Sequence, residues 1–161
     1  MATAQQTQRL AVAFVLNGKP IELEVEPHVD LLTLLGERLG LRGAKRSCDL
    51  QVCGACTVLV DGRPVSACTL PAFEVRGRDV LTIEGLAGEP LHPLMQAFIE
   101  HAGFQCGYCT PGMILAAKSL LDEEPDPSEA RVREYLAGNI CRCTGYKKIV
   151  ESVLAAAGGS G

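Results

Sequence analysis

Residues 48–56 read Cys48-Asp49-Leu50-Gln51-Val52-Cys53-Gly54-Ala55-Cys56, and a further cysteine follows at Cys68. The spacing is C-x4-C-x2-C-x11-C, with three thiols inside nine residues. Ligands so close together require a backbone that curls around one centre, and Gly54 and Ala55 supply side chains small enough for that curl. The amide groups of the curl can then point at sulfur. No helical or strand period runs through Gly43 to Ala55, so the segment reads as a loop. Four thiolates at this spacing suit a 2Fe–2S cluster. Zinc sites made of four cysteines favour two C-x2-C pairs, and only one is present, although zinc, disulfides and free thiols remain alternatives.

The flanks give the loop a fold. Leu10 to Leu16 is rich in β-formers, Asn17-Gly18 is a two-residue hairpin signal, and Ile21 to Val25 returns with Ile21, Leu23 and Val25 on one face. Asp30 can cap a helix over Leu31–Leu39, with Gly40 as its stop. Thr57–Val60, the turn Asp61-Gly62 and Pro64–Cys68 make a second hairpin, which puts the fourth thiol on a strand. Val80–Ile83 is a last short strand. Cysteine spacing and element order together predict a β-grasp domain of plant-type ferredoxin form over residues 1–83.

Glu84–Pro90 reads as a linker, after which the period becomes helical. Helices are expected over Leu91–His101, Gly112–Glu124, Glu129–Leu136 and Tyr146–Ala157, followed by a flexible tail, Gly158–Gly161. Short connections between four helices predict an antiparallel four-helix bundle over residues 84–161 and an α+β protein overall. This half carries a second tetrad, Cys106, Cys109, Cys141 and Cys143, spaced C-x2-C-x31-C-x-C. Its thiols precede the second and fourth helices, so two helix N-termini face one site, where their amides favour negative charge. A cluster or a zinc ion would suit it. The chain has eight cysteines, and none is left over.

Bulk properties narrow the function. The formal charge is −4, which argues against nucleic-acid binding. Each oxidised cluster with its thiolates carries about −2, bringing the loaded chain to roughly −8. The start, Met1 to Arg9, lacks a basic region followed by an apolar run, and no apolar stretch of membrane-spanning length occurs. A reducing cytoplasm is therefore expected, with export on a partner's signal left open. No His lies within three residues of a cysteine, which argues against a mixed His–Cys centre of the Rieske type. His28, His92 and His101 read as surface or capping residues. No nucleophile–base pattern supports hydrolytic chemistry, and the expected set of catalytic residues is empty.

Three further stretches carry a resemblance. These are Gly54-Ala55-Cys56-Thr57-Val58, Gln105-Cys106-Gly107-Tyr108-Cys109-Thr110-Pro111-Gly112 and Gly138-Asn139-Ile140-Cys141-Arg142-Cys143-Thr144-Gly145-Tyr146. Together they resemble the small iron–sulfur subunit of the xanthine oxidase family of molybdenum hydroxylases, over about Leu10 to Val153. The resemblance implies two 2Fe–2S clusters, one on each tetrad. It also implies a large partner subunit carrying molybdopterin-bound molybdenum, and often a medium subunit carrying FAD. Electrons would pass from molybdenum to the cluster of the helical half, then to the ferredoxin-half cluster, then outward. Gln105 and Cys143 match positions that approach the pterin. A free-standing ferredoxin-like carrier and a zinc-stabilised interaction module are the competing readings.

The chain departs from the family at two places. Ser47 stands where glycine commonly precedes the first cysteine, and Gln51 stands where many members have glycine. Neither removes a ligand, but both predict a first-centre potential different from that of glycine-bearing relatives. Arg142 could meet a partner carboxylate, Tyr146 reads as packing, and Lys147 and Lys148 hint at a docking face.

Overall fold

The computed structural model describes residues 8–158. The expected tail beyond Gly158 and the residues before Gln8 lie outside the described residues. Strands β1 (Leu10–Leu16) and β2 (Lys19–Val25) pair antiparallel, with Leu16 opposite Lys19. Between them Asn17 and Gly18 take φ of 51° and 76°, the left-handed pair that a two-residue turn needs to match strand twist. Asn17 also ties this turn to a distant one: its Oδ1 accepts from Thr82 N at 2.9 Å, and its Nδ2 donates to Thr82 Oγ1 at 3.0 Å.

Thr82 directly follows β5 (Asp79–Leu81), which runs parallel to β1 and antiparallel to β3 (Thr57–Val60). With β4 (Arg63–Ser66) the sheet is mixed, in the order β2-β1-β5-β3-β4. The second hairpin ends sooner than expected. β4 stops at Ser66, and Cys68 lies in the turn beyond it. Ala67 N makes one last bond in register, to Cys56 O, and the chain then leaves the ladder as Ala67 O accepts from Leu32 N instead.

The helix expected over Leu31–Leu39 begins where predicted. Asp30 Oδ1 accepts from Thr33 N at 2.8 Å and caps α1 (Leu31–Thr33). The helix then widens into a π turn over Leu34–Arg38, closed by Leu39 N donating to Leu34 O. The wider turn keeps Leu31, Leu34 and Leu35 wholly buried against the sheet. Gly40, at φ 73°, ends it.

Four helices follow: α2 (Pro93–Glu100), α3 (Thr110–Glu123), α4 (Glu129–Tyr135) and α5 (Lys147–Gly158). His92 Nδ1 accepts from Leu94 N at the start of α2, and Ser128 Oγ accepts from Arg131 N at the start of α4. Helix α5 packs on α2 and α4, while α3 packs on α4 and on β3. Leu94, Phe98, Met113, Leu120, Ile149 and Val153 form the centre of a second core. Sheet and helices together make an α+β protein.

Strand β3 joins the two cores. All four of its residues are buried. Val58 and Val60 pack in the sheet's own core, and Leu59 packs among the helices. An unbroken apolar run in a strand is what burial on both faces requires. The stretch expected to be a linker is likewise engaged: Ile83–Leu86 forms a short 3-10 turn, Leu86 is buried with the helices, and Glu84 Oε1 accepts from Gly43 N at 2.7 Å. No helix among the described residues is long and apolar enough to cross a membrane.

Candidate metal centres

The first tetrad lies on the loop between α1 and β3, with Cys68 closing it from beyond β4. Asp49 and Gln51 sit in the left-handed region, at φ 54° and 59°, and Gly54 follows at 68°. These reversals turn successive amides inward. Leu50 N donates to Cys48 Sγ at 3.4 Å. Leu50, Cys53 and Val52 amides, with the Cys53 thiol, hold the Cys48 thiol down to about 6. On the inner side, burial pushes Cys56 up to about 11. Gln51 therefore occupies the conformation glycine takes most easily, at a cost for a residue with Cβ of about 1–2 kcal/mol.

Arg46 pins the start of this loop. Its Nη2 donates to Asp30 Oδ1 at 2.8 Å and to Thr33 Oγ1 at 2.9 Å, and its Nη1 to Asp49 Oδ1 at 2.5 Å. Burial raises the Asp30 carboxyl, but the Thr33 amide and the Arg46 guanidinium outweigh it and hold the carboxyl below its ordinary value. One carboxylate thus caps α1 and anchors the loop.

The second tetrad is split between two helix entries. Cys106 and Cys109 precede α3, with Cys109 at its N-cap position, and Cys141 and Cys143 precede α5. Cys106 and Cys143 are exposed, with their Sγ atoms 3.5 Å apart. Cys141 is buried, and Cys109 half-buried. Burial pushes the Cys109 thiol up to about 12. Burial also raises Cys141, but Thr144 overrides it: its hydroxyl lies 3.1 Å and its amide 3.4 Å from the sulfur, leaving the thiol lowered.

The thiols interact within each tetrad: Cys48 with Cys53, Cys56 with both Cys68 and Cys53, Cys106 with Cys143 and Cys141, and Cys109 with Cys141 and Cys106. Among the described residues, no three or more His, Cys, Asp or Glu side chains gather around one ion. A tetrahedral zinc ion needs four donors around one point, whereas a 2Fe–2S cluster takes two thiolates on each iron. All eight cysteines are free of disulfides. Thiols interacting within each tetrad, inward amides and mixed burial fit a diiron cluster at each tetrad better than a zinc ion. Loading would expel the thiol protons, since only thiolates ligate.

Gln105 is exposed and adjoins Cys106, whose sulfur lies 3.5 Å from that of Cys143. Arg142 is exposed and makes no ion pair among the described residues. Lys148 pairs with Glu151 at 2.7 Å, and Lys147 with the same carboxylate at 4.0 Å, so neither is an idle charge. Tyr146 does more than pack: its hydroxyl donates to Asn139 O at 3.0 Å and accepts from Cys141 N at 2.9 Å, bracing the loop that carries two thiols. Asn139 and Tyr108 had no role in the sequence reading. The buried Asn139 amide donates to Gly54 O at 3.0 Å, and the Tyr108 hydroxyl to Arg46 O at 2.6 Å. A polar residue between Gly138 and Ile140, two residues from a thiol, was the available signal.

Comparison with known proteins bears on both halves. Residues 14–81 match a 2Fe-2S iron-sulfur cluster binding domain, and residues 82–154 match a [2Fe-2S] binding domain. The chain is 44% identical over 147 residues to the nicotinate dehydrogenase small FeS subunit of Eubacterium barkeri, covering 90% of this chain and 93% of that one. It is 40% identical over 158 residues to the nicotine 6-hydroxylase small subunit of Paenarthrobacter nicotinovorans, covering 98% and 96%. The chain belongs to the small iron–sulfur subunits of the xanthine oxidase family. Solved structures of family members agree. Quinoline 2-oxidoreductase from Pseudomonas putida 86 superposes with a TM-score of 0.90 at 43% identity, covering 94% of this chain and 95% of that one. An aldehyde oxidoreductase from Desulfovibrio gigas superposes at 0.88 and 42% identity, but the match spans only 17% of that longer chain. The same fold thus stands as a chain of its own in one relative and as one part of a longer polypeptide in another. The family places two 2Fe–2S domains in this chain, the first of ferredoxin type.

Proposed function

We propose that this chain relays electrons through two 2Fe–2S clusters, between the molybdopterin of a large partner subunit on one side and FAD or another acceptor on the other. Cys48, Cys53, Cys56 and Cys68 would hold the first cluster, and Cys106, Cys109, Cys141 and Cys143 the second. When bound, each cluster takes up and releases one electron at a time. The protein's own residues fix the centres, set the hydrogen bonds on sulfur and exclude water from the inner thiols.

The observation that carries this reading is the grouping of the eight thiols into two tetrads of unlike exposure, one within each matched 2Fe–2S domain. The outward pair, Cys106 and Cys143, lies beside exposed Gln105, which supports an approach to the pterin there. The first loop displays Leu50, 73% exposed, and Val52, 58% exposed. Apolar side chains around a redox loop support a subunit contact at that end, where we place the medium FAD subunit. The order of transfer would run from the helical half to the sheet half. We further read residues 1–83 as a β-grasp domain and 84–161 as a four-helix bundle domain, working in a cytoplasmic hetero-oligomer.

Iron and acid-labile sulfide analysis of the native complex tests the proposal. About four irons per chain and two distinct paramagnets after dithionite reduction are expected. Zinc in place of iron, or a single paramagnet, would overturn it. Gel filtration of native extract should place the chain with its larger partners, whereas a lone small species would make it a free carrier.

A further inference from the structure

The two thiol loops are held together by hydrogen bonds whose donors all come from the second loop and whose acceptors all come from the first. Tyr108, between Cys106 and Cys109, donates its hydroxyl to Arg46 O at 2.6 Å. Ile140, next to Cys141, donates its amide to Cys53 O at 2.8 Å. Asn139 donates its side-chain amide to Gly54 O at 3.0 Å and to Thr57 Oγ1 at 3.2 Å. The three accepting carbonyls, on Arg46, Cys53 and Gly54, flank Cys48 and Cys53. The middle bond joins two cysteines by a short path. From Cys53 Sγ it follows the side chain to the carbonyl, crosses to Ile140 N, and continues one residue to Cys141 and its sulfur.

The contact is built for close approach. Asn139 is 6% exposed, so its amide has no water to exchange for these partners, and leaving it unpaired would be costly. A Cβ on Gly54 would lie 2.5 Å from Asn139 Nδ2, and one on Gly112 would overlap Gly54 O. Both faces of the contact are therefore cleared of side chains, and the Asn139 amide fills the remaining space. Tyr146 then fixes Asn139 from behind by donating to its carbonyl.

Resting on the reading that each tetrad holds a cluster, we infer that this clamp is the contact through which the two centres are coupled, and that Asn139 is its positioning residue. Asn139 touches neither centre. It holds Gly54 and, through it, the adjoining Cys53 carbonyl against Ile140. Without its amide the loops separate by the freedom of one backbone bond, and the path between Cys53 and Cys141 opens. Tyr108 secures the other end of the first loop, so its hydroxyl contributes less.

The test uses the assembled complex with both centres loaded. In the fully reduced complex two nearby paramagnets split each other's EPR lines, and the splitting falls steeply with separation. Asn139→Leu keeps the shape and removes the donor. It should retain the full iron content and show a clearly smaller mutual splitting, while each centre keeps its own g-values. Tyr108→Phe should retain iron and reduce the splitting by less than Asn139→Leu does. Full iron with unaltered splitting in Asn139→Leu overturns the inference. Should Asn139→Leu not hold the first centre, Tyr108→Phe decides: reduced splitting supports the clamp, and unaltered splitting overturns it. A wild-type complex with fewer than about four irons per chain would instead remove the functional reading on which the clamp rests.

Discussion

The sheet half and the helical half solve the same problem by different means. In the first, three thiols sit within nine residues, and local backbone reversals at Asp49, Gln51 and Gly54 turn amides onto sulfur. In the second, thirty-one residues separate the two thiol pairs, and only the packing of α3 and α5 around the shared core brings Cys109 to Cys141. Three of the first site's four thiols are written in one loop, with Cys68 added from beyond β4; the second site exists only once the helices have folded. A local site answers to changes in its loop, and an assembled one to changes in a distant core.

Ligand substitutions give the largest expected effect. Cys53→Ser should remove the first centre and Cys143→Ser the second, each costing about half of the iron. The visible circular dichroism of the two variants should sum to that of the parent. If either substitution empties both centres, the halves do not load independently. Core truncations come next. Phe98→Ala should cost about 3–5 kcal/mol and Leu34→Ala about 2–5 kcal/mol, because both side chains are fully buried and the cavities cannot collapse. The sharper expectation is selective: Phe98→Ala depletes the second centre, and Leu34→Ala the first. Equal loss of both centres from either variant would mean that β3 makes the two cores a single cooperative unit.

Much of this was legible in the chain. The Asn17-Gly18 turn, the Asp30 cap and the helix starts near Pro93, Thr110 and Glu129 follow from local chemistry and were read correctly to within a few residues. The boundaries that failed were set by tertiary contacts. Cys68 left its strand because the Ala67 carbonyl is taken by Leu32 N, a partner far away in sequence. The π turn after Thr33 answers to burial of three leucines at once. All eight thiols could be named in advance, but their contacts could not, since spacing does not reveal which sulfurs touch. Asn139 and Tyr108 escaped because their acceptors lie 85 and 62 residues away.

Smaller changes sharpen the contrast. Asp30→Ala removes a helix cap and frees Arg46 from the first loop, and should lower stability by about 1 kcal/mol. Asp30→Asn keeps the cap and loses only a partly exposed ion pair, for under about 1 kcal/mol. Thermal melts of the two variants separate these contributions. Gln51→Gly should have the smallest effect. Relief of the left-handed backbone is offset by the entropy glycine adds to the unfolded chain, leaving about 0.5 kcal/mol or less of net change. Redox titration of this variant tests whether the first potential differs from that of glycine-bearing relatives, and an unmoved potential would show that the side chain at 51 has no part in it.

Strand β3 has a further consequence for anyone wishing to divide the molecule. Leu59 is packed among the helices, and Ser119 on α3 donates to Gly62 O at the tip of the hairpin. A fragment cut after residue 83 would carry a bare leucine in the middle of its sheet and a hairpin tip stripped of its tether. Such a piece would hide that stripe against another copy of itself, so a miniaturised carrier excised from this chain should elute as a dimer unless Leu59 is first made polar.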